Sequence, residues 1–191
     1  MAVLAVGVGA YAIITLAAPT IGAPFFGQRF ATMPLVAYGH IAAGAVAMIL
    51  GAFQVNVRIR QAWLARHRWL GRVYVGAVFI GAPFGLALAT VSEGGWVTHF
   101  AFGLLALLWF ATTAMAFVAI RARNIAAHQQ WMIRSYALTL AAVTLRIYVP
   151  LAVIAGIPFE AAYPAISWLC WVPNLIVAEW LIQRAPLQAR A

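Results

Sequence analysis

The four histidines of this 191-residue chain are its side chains best suited to chemistry. His40, His67, His99 and His128 each fall at or near the end of a different predicted helix. Neutral imidazole is the commonest metal ligand and a standard axial ligand of haem iron. Two imidazoles on one iron leave no open site for oxygen, so such a centre carries electrons. His40, His67 and His99 are followed four positions later by Gly44, Gly71 and Gly103, which share their helix faces. A porphyrin hung from an axial imidazole lies flat against the helix and needs such a bare strip. Glycine costs about 1 kcal/mol relative to alanine inside a helix, so its placement wants a reason. Close helix packing is the competing reason, and ordinary interfacial polarity is the competing account of the histidines themselves.

The faces extend beyond one turn. His40, Gly44, Ala47 and Gly51 follow at helical spacing, and Gln54 continues the line. His99 leads to Gly103 and Ala106, and His67 to Gly71 and Tyr74. No carboxylate or second histidine stands three or four positions from any histidine, which argues against a copper or zinc site. A further stripe runs His128, Met132, Ser135, Thr139, Ala142, Arg146 on one continuous face. Arg146 is a deep charge and a candidate haem-propionate clamp, quinone-head contact or proton-path residue. Glu179 is the only carboxylate inside a span; it is the natural partner of Arg146, with Arg134 as the alternative. Asn174 and Ser167 are expected to hydrogen-bond neighbouring helices.

The elements that must position these groups are membrane helices. The chain is 66% hydrophobic and 8% charged, with mean hydropathy +0.96; a soluble domain carries about 25% charged residues. Six spans near the bilayer length are expected, at about 2–20, 34–55, 68–91, 96–120, 128–155 and 161–184. The expectation is an all-α polytopic membrane protein, a single six-helix transmembrane domain over residues 1–191. The apolar opening segment lacks the basic n-region of a signal peptide and is expected to remain as the first span. Trp63, Trp69, Trp96 and Trp131 stand near span boundaries, as an aromatic belt does. Pro83, Pro150 and Pro173 fall within spans, where neighbouring helices can satisfy freed carbonyls.

The net charge of +9 comes from 12 arginines against three glutamates, with no lysine or aspartate. Arg58, Arg60, Arg66 and Arg68 join spans two and three, Arg121 and Arg123 join four and five, and Arg184 and Arg190 follow six. Glu93, Glu160 and Arg29 fall on the other side. The positive-inside rule then puts both termini in the cytoplasm, and the arginines face lipid heads rather than nucleic acid. Cys170 is the only cysteine, so the chain has no internal disulfide. The topology places His40 and His99 on one side and His67 and His128 on the other. No phosphate loop, catalytic carboxylate pair or nucleophile–base motif is visible.

Two resemblances follow from these residues. The segments GHIAAGAVAMILGAFQ (39–54), HRWLGRVY (67–74), HQQWMIRSYALTLAAVTLRIY (128–148) and WVPNLIVAEW (171–180) resemble a widespread, DUF2306-like family of predicted bacterial membrane proteins that brings no established activity. The architecture, with histidines on the second to fifth helices, is similar to the cytochrome b561 family, which carries two b-type haems and passes electrons across the membrane. By position, that resemblance implies an outer haem on His40 and His99 and an inner haem on His67 and His128. The function expected is transmembrane electron transfer in the bacterial inner membrane, with quinone as a candidate partner. The alternatives are a haem-free subunit or assembly factor of a larger complex, a homo-oligomer among them, and a small transporter.

Overall fold

The computed structural model describes residues 2–17, 32–54 and 63–184. Arg29, Arg58, Arg60, Arg190 and the end of the expected first span lie outside these residues. The described residues form α1 (Ala2–Ala17), α2 (Pro34–Gln54), α3 (Leu64–Ala89), α4 (Trp96–Arg121), α5 (Ile125–Thr139), α6 (Ala141–Ile154), α7 (Phe159–Leu169) and α8 (Val172–Arg184), with no strand among them. α5 and α6 form one apolar stretch, Ile125–Ile154, and α7 and α8 another, Phe159–Arg184. With α2, α3 and α4, these make five helices long and apolar enough to cross a membrane; α1 is a shorter apolar helix. The chain is thus an all-helical membrane protein with the six expected elements.

Three helices start earlier than hydropathy alone predicts, at 64, 125 and 159 rather than 68, 128 and 161. Backbone hydrogen bonding continues past the apolar stretch at all three, with a side-chain cap at α5 alone. Asn124 accepts from the backbone N–H of Ala127 at 3.0 Å, which satisfies an orphan donor of α5. His67 and His128 are therefore helical residues rather than loop residues.

The chain divides into two compact units, Met1–Thr90 and Val91–Ala191. In the first, α2 and α3 pair as an antiparallel hairpin and α1 packs on α2. The core is mostly alanine, with Tyr74 and Val78 fully buried, and small side chains let membrane helices approach closely. A Cβ on Gly9 would meet Ile49 at 2.7 Å, and one on Gly39 would collide with the Phe84 ring. Those two glycines are packing glycines.

In the second unit, α4 and α5 form the hairpin, α7 packs on α4 and α6, and α8 packs on α5. Thr113 and Ser135 share a 2.7 Å hydrogen bond, and the Trp109 indole donates to Thr139 at 2.9 Å. The helix pairs α5–α6 and α7–α8 break at Leu140 and at Cys170–Trp171. Asn174 joins the two breaks: its amide lies 2.9 Å from Thr144 Oγ1, 3.0 Å from the Cys170 carbonyl and 3.3 Å from the Ala137 carbonyl. The expected helix-to-helix role of Asn174 is what it plays, whereas Ser167 bonds the Pro164 carbonyl of its own helix.

α4 ends in a Schellman motif. The N–H of Arg123 bonds the Ile120 carbonyl and that of Asn124 bonds the Ala119 carbonyl. The motif puts Arg123 at φ 61°, where glycine is the usual residue. α6 ends the same way with Gly156 at φ 72°. Arg123→Gly should therefore stabilise the protein by about 1 kcal/mol by relieving the left-handed strain, and Arg123→Ala should give no such gain. Unfolding midpoints in mild detergent measure both.

Candidate functional site

All four histidines are half-buried. His40 stands in the second turn of α2, and its Nδ1 lies 2.8 Å from the Gly81 carbonyl on α3. A carbonyl only accepts, so Nδ1 carries the proton. His128 repeats the arrangement in the second unit, with Nδ1 2.9 Å from the Ala116 carbonyl on α4. His99 is turned the other way. Its Nε2 lies 3.0 Å from the Ser92 carbonyl in the loop that leads into α4, and its ring meets Trp96 edge to face at 5.6 Å. That loop is itself held tightly: Ser92 Oγ donates to Thr98 Oγ1, which bonds the Glu93 and Gly95 carbonyls. His67 is tied through its backbone, its carbonyl accepting from Gln54 Nε2 at 3.2 Å. Gln54 is buried, and its Oε1 has no hydrogen-bond partner among the described residues.

Each hairpin thus carries one histidine at either end. In the first unit, His40 is level with Gly81 and Gln54 is level with His67. The 14 positions from His40 to Gln54 span about 21 Å at the helical rise. In the second unit, His99 opens α4 while His128 lies beside Ala116 near its close. Each expected pair, His40 with His99 and His67 with His128, draws one histidine from each unit.

The glycines beside the histidines differ from the packing glycines. A Cβ added to Gly44 or to Gly71 would meet nothing within 4 Å. Close approach of a helix of the first unit therefore does not account for these two, and Gly76, beside no histidine, is equally open. Gly103 is buried in α4.

The stripe of span five faces α4 along its first half, where His128, Ser135 and Thr139 bond Ala116, Thr113 and Trp109. The proposed Arg146–Glu179 pair is not formed. Arg134 holds Glu179 instead, with Nε on one carboxylate oxygen at 2.5 Å and Nη2 on the other at 2.8 Å. The same guanidinium lies over Trp131 at 4.6 Å. Arg146 bonds the Ala142 carbonyl at 3.0 Å. The alternative that the sequence offers, Arg134, is thus the observed partner. Sequence reasoning also missed the Ser92–Thr98 loop, whose SxxxxxTH pattern reads as simple polarity. Asn124 was a readable cap. Among the described residues no group of three or more His, Cys, Asp or Glu converges to hold a bare metal ion.

The model of a family described as predicted membrane protein (DUF2306) matches residues 37–182. The chain belongs to this family. The match runs from the first turn of α2 to the last turn of α8 and takes in all four histidines. Membership of the DUF2306 family makes the chain a membrane protein and assigns it no activity. No curated protein and no solved structure matches the chain.

The Arg134–Glu179 geometry generates a double-mutant test. Glu179→Gln and Arg134→Gln should show a coupling energy of about 1 kcal/mol or more, as contacting charges do. Glu179→Gln and Arg146→Gln should add within about 0.5 kcal/mol. Reversible unfolding in mixed micelles reads both cycles.

Proposed function

We propose that the chain is a membrane-embedded electron carrier of the bacterial inner membrane that binds b-type haem through His40, His67, His99 and His128. The observation that carries this reading is the ring orientation of His40 and His128. In both, Nδ1–H is spent on a backbone carbonyl of the partner helix. Such a bond fixes the tautomer and raises the basicity of Nε2, which is how metal-bound histidines are oriented. The open strips at Gly44 and Gly71 support the same reading, since a macrocycle needs the room that a side chain would take.

Bound haem supplies reversible one-electron iron chemistry. The protein's own work is to hold the imidazoles, exclude water with apolar helix faces and balance charge. Arg146, on the same stripe as His128, is a candidate counter-charge for a propionate. His99 offers Nε2 only after it gives up Ser92. That contact favours a second reading, in which His99 is a loop fastener and the chain a haem-free subunit of a larger membrane complex. Quinone is a candidate electron partner in the first reading.

The test is a visible spectrum of the purified protein, oxidised and dithionite-reduced, with a pyridine haemochrome count. The expected result is a sharp reduced α-band and about two haems per chain, each with bis-histidine ligation. His40→Ala and His128→Ala should each lose about one haem equivalent. A colourless protein that takes up no added haem would overturn the proposal and leave the haem-free subunit.

A further inference from the structure

The head of α3 carries positive charge with no counter-charge in its own unit. The three carboxylates of the chain, Glu93, Glu160 and Glu179, all belong to the second unit. Arg66, Trp69 and Arg72 follow at three-residue spacing, so the three positions share one face of the helix, with Trp69 one step along from each arginine. All three side chains are exposed, Trp69 by 62%, and Arg66 lies over the Trp63 ring at 4.9 Å. A surface groove of about 350 Å³ is lined there by Ala65, Arg66, Trp69 and Leu70. The same face runs inward through Val73, Gly76 and Ile80. Gly76 leaves a notch, for a Cβ there would meet nothing within 4 Å. His67 and Gly71 lie on the opposite side of the helix, so this groove is separate from the candidate haem site.

We propose that this face binds an anionic phospholipid, its phosphodiester held between Arg66 and Arg72 and an acyl chain laid along Trp69, Gly76 and Ile80. Charge complementarity selects an anion, and arginine presents the planar fork that matches phosphate oxygens. The order of groups along this helix face selects a lipid over a free ion. Its charged end lies at the start of a spanning helix, and its apolar end runs into that helix, as a headgroup and chain do. Tryptophan at the junction suits the interfacial layer.

The experiment compares phosphatidylglycerol, phosphatidylcholine and inorganic phosphate on the full chain in detergent, by native mass spectrometry and thermal unfolding. Phosphatidylglycerol should add about one tightly held lipid per chain and raise Tm, an effect that fades with salt; the other two should do neither. The double variant Arg66→Gln/Arg72→Gln should weaken phosphatidylglycerol binding about thirtyfold, from about fivefold per surface arginine. Arg121→Gln, in the second unit, should leave it unchanged. Gly76→Leu, which fills the notch without touching charge or core, should weaken it severalfold and covers the case of a poorly folded arginine variant. Wild-type binding in both variants would overturn the proposal, as would equal binding of phosphatidylcholine. Equal stabilisation by inorganic phosphate would overturn it in favour of an ion site.

Discussion

A hydroxyl, amide or imidazole inside a bilayer has no water to fall back on, so each must find its partner on its own backbone or on a neighbouring helix. The polar groups here obey that constraint closely. Thr113 meets Ser135, the Trp109 indole meets Thr139, and Asn174 divides its amide among two carbonyls and a hydroxyl. His40 and His128 reach carbonyls of the facing helix. These bonds set the register of each hairpin, because an apolar core of alanines slides with little penalty while a displaced hydroxyl or imidazole loses its partner on the facing helix. Two buried atoms stand outside the scheme among the described residues, Gln54 Oε1 and Trp171 Nε1.

The same constraint separates the glycines into kinds. Gly9 and Gly39 sit where Ile49 and Phe84 press on the backbone, and a methyl group would force the helices apart. Gly44 and Gly71 face space, so the roughly 1 kcal/mol they forgo relative to alanine is not recovered by packing on the neighbouring helix. Gly76, which stands beside no histidine, is open in the same way.

The helices and the histidine faces were legible in the sequence, because hydropathy fixes where the chain must be helical and the 3.6-residue period fixes which residues share a face. The stripe from His128 to Thr139 was legible for the same reason. Helix starts were less so: apolar content ends before backbone hydrogen bonding does, and His67 and His128 fall in that margin. The partner of Glu179 was legible only as two alternatives, Arg146 and Arg134, and the packing of α8 on α5 selects Arg134. The ring nitrogen that each histidine spends was beyond the sequence altogether. It depends on whether the nearest acceptor lies on the facing helix, as for His40, or on the approach loop, as for His99.

The hydrogen bonds also divide by when their partners leave the ribosome. His40 with Gly81, Gln54 with His67, and His128 with Ala116 join helices that are neighbours in sequence. A nascent hairpin can therefore enter lipid with these groups already paired. α8 breaks the pattern, because it alone supplies Glu179 to Arg134 and Asn174 to the Ala137 carbonyl. Without α8, Arg134 lacks the carboxylate that it meets in the fold. Pairing of Arg134 thus waits on α8, whereas His40 and His128 need only the helix beside them in sequence.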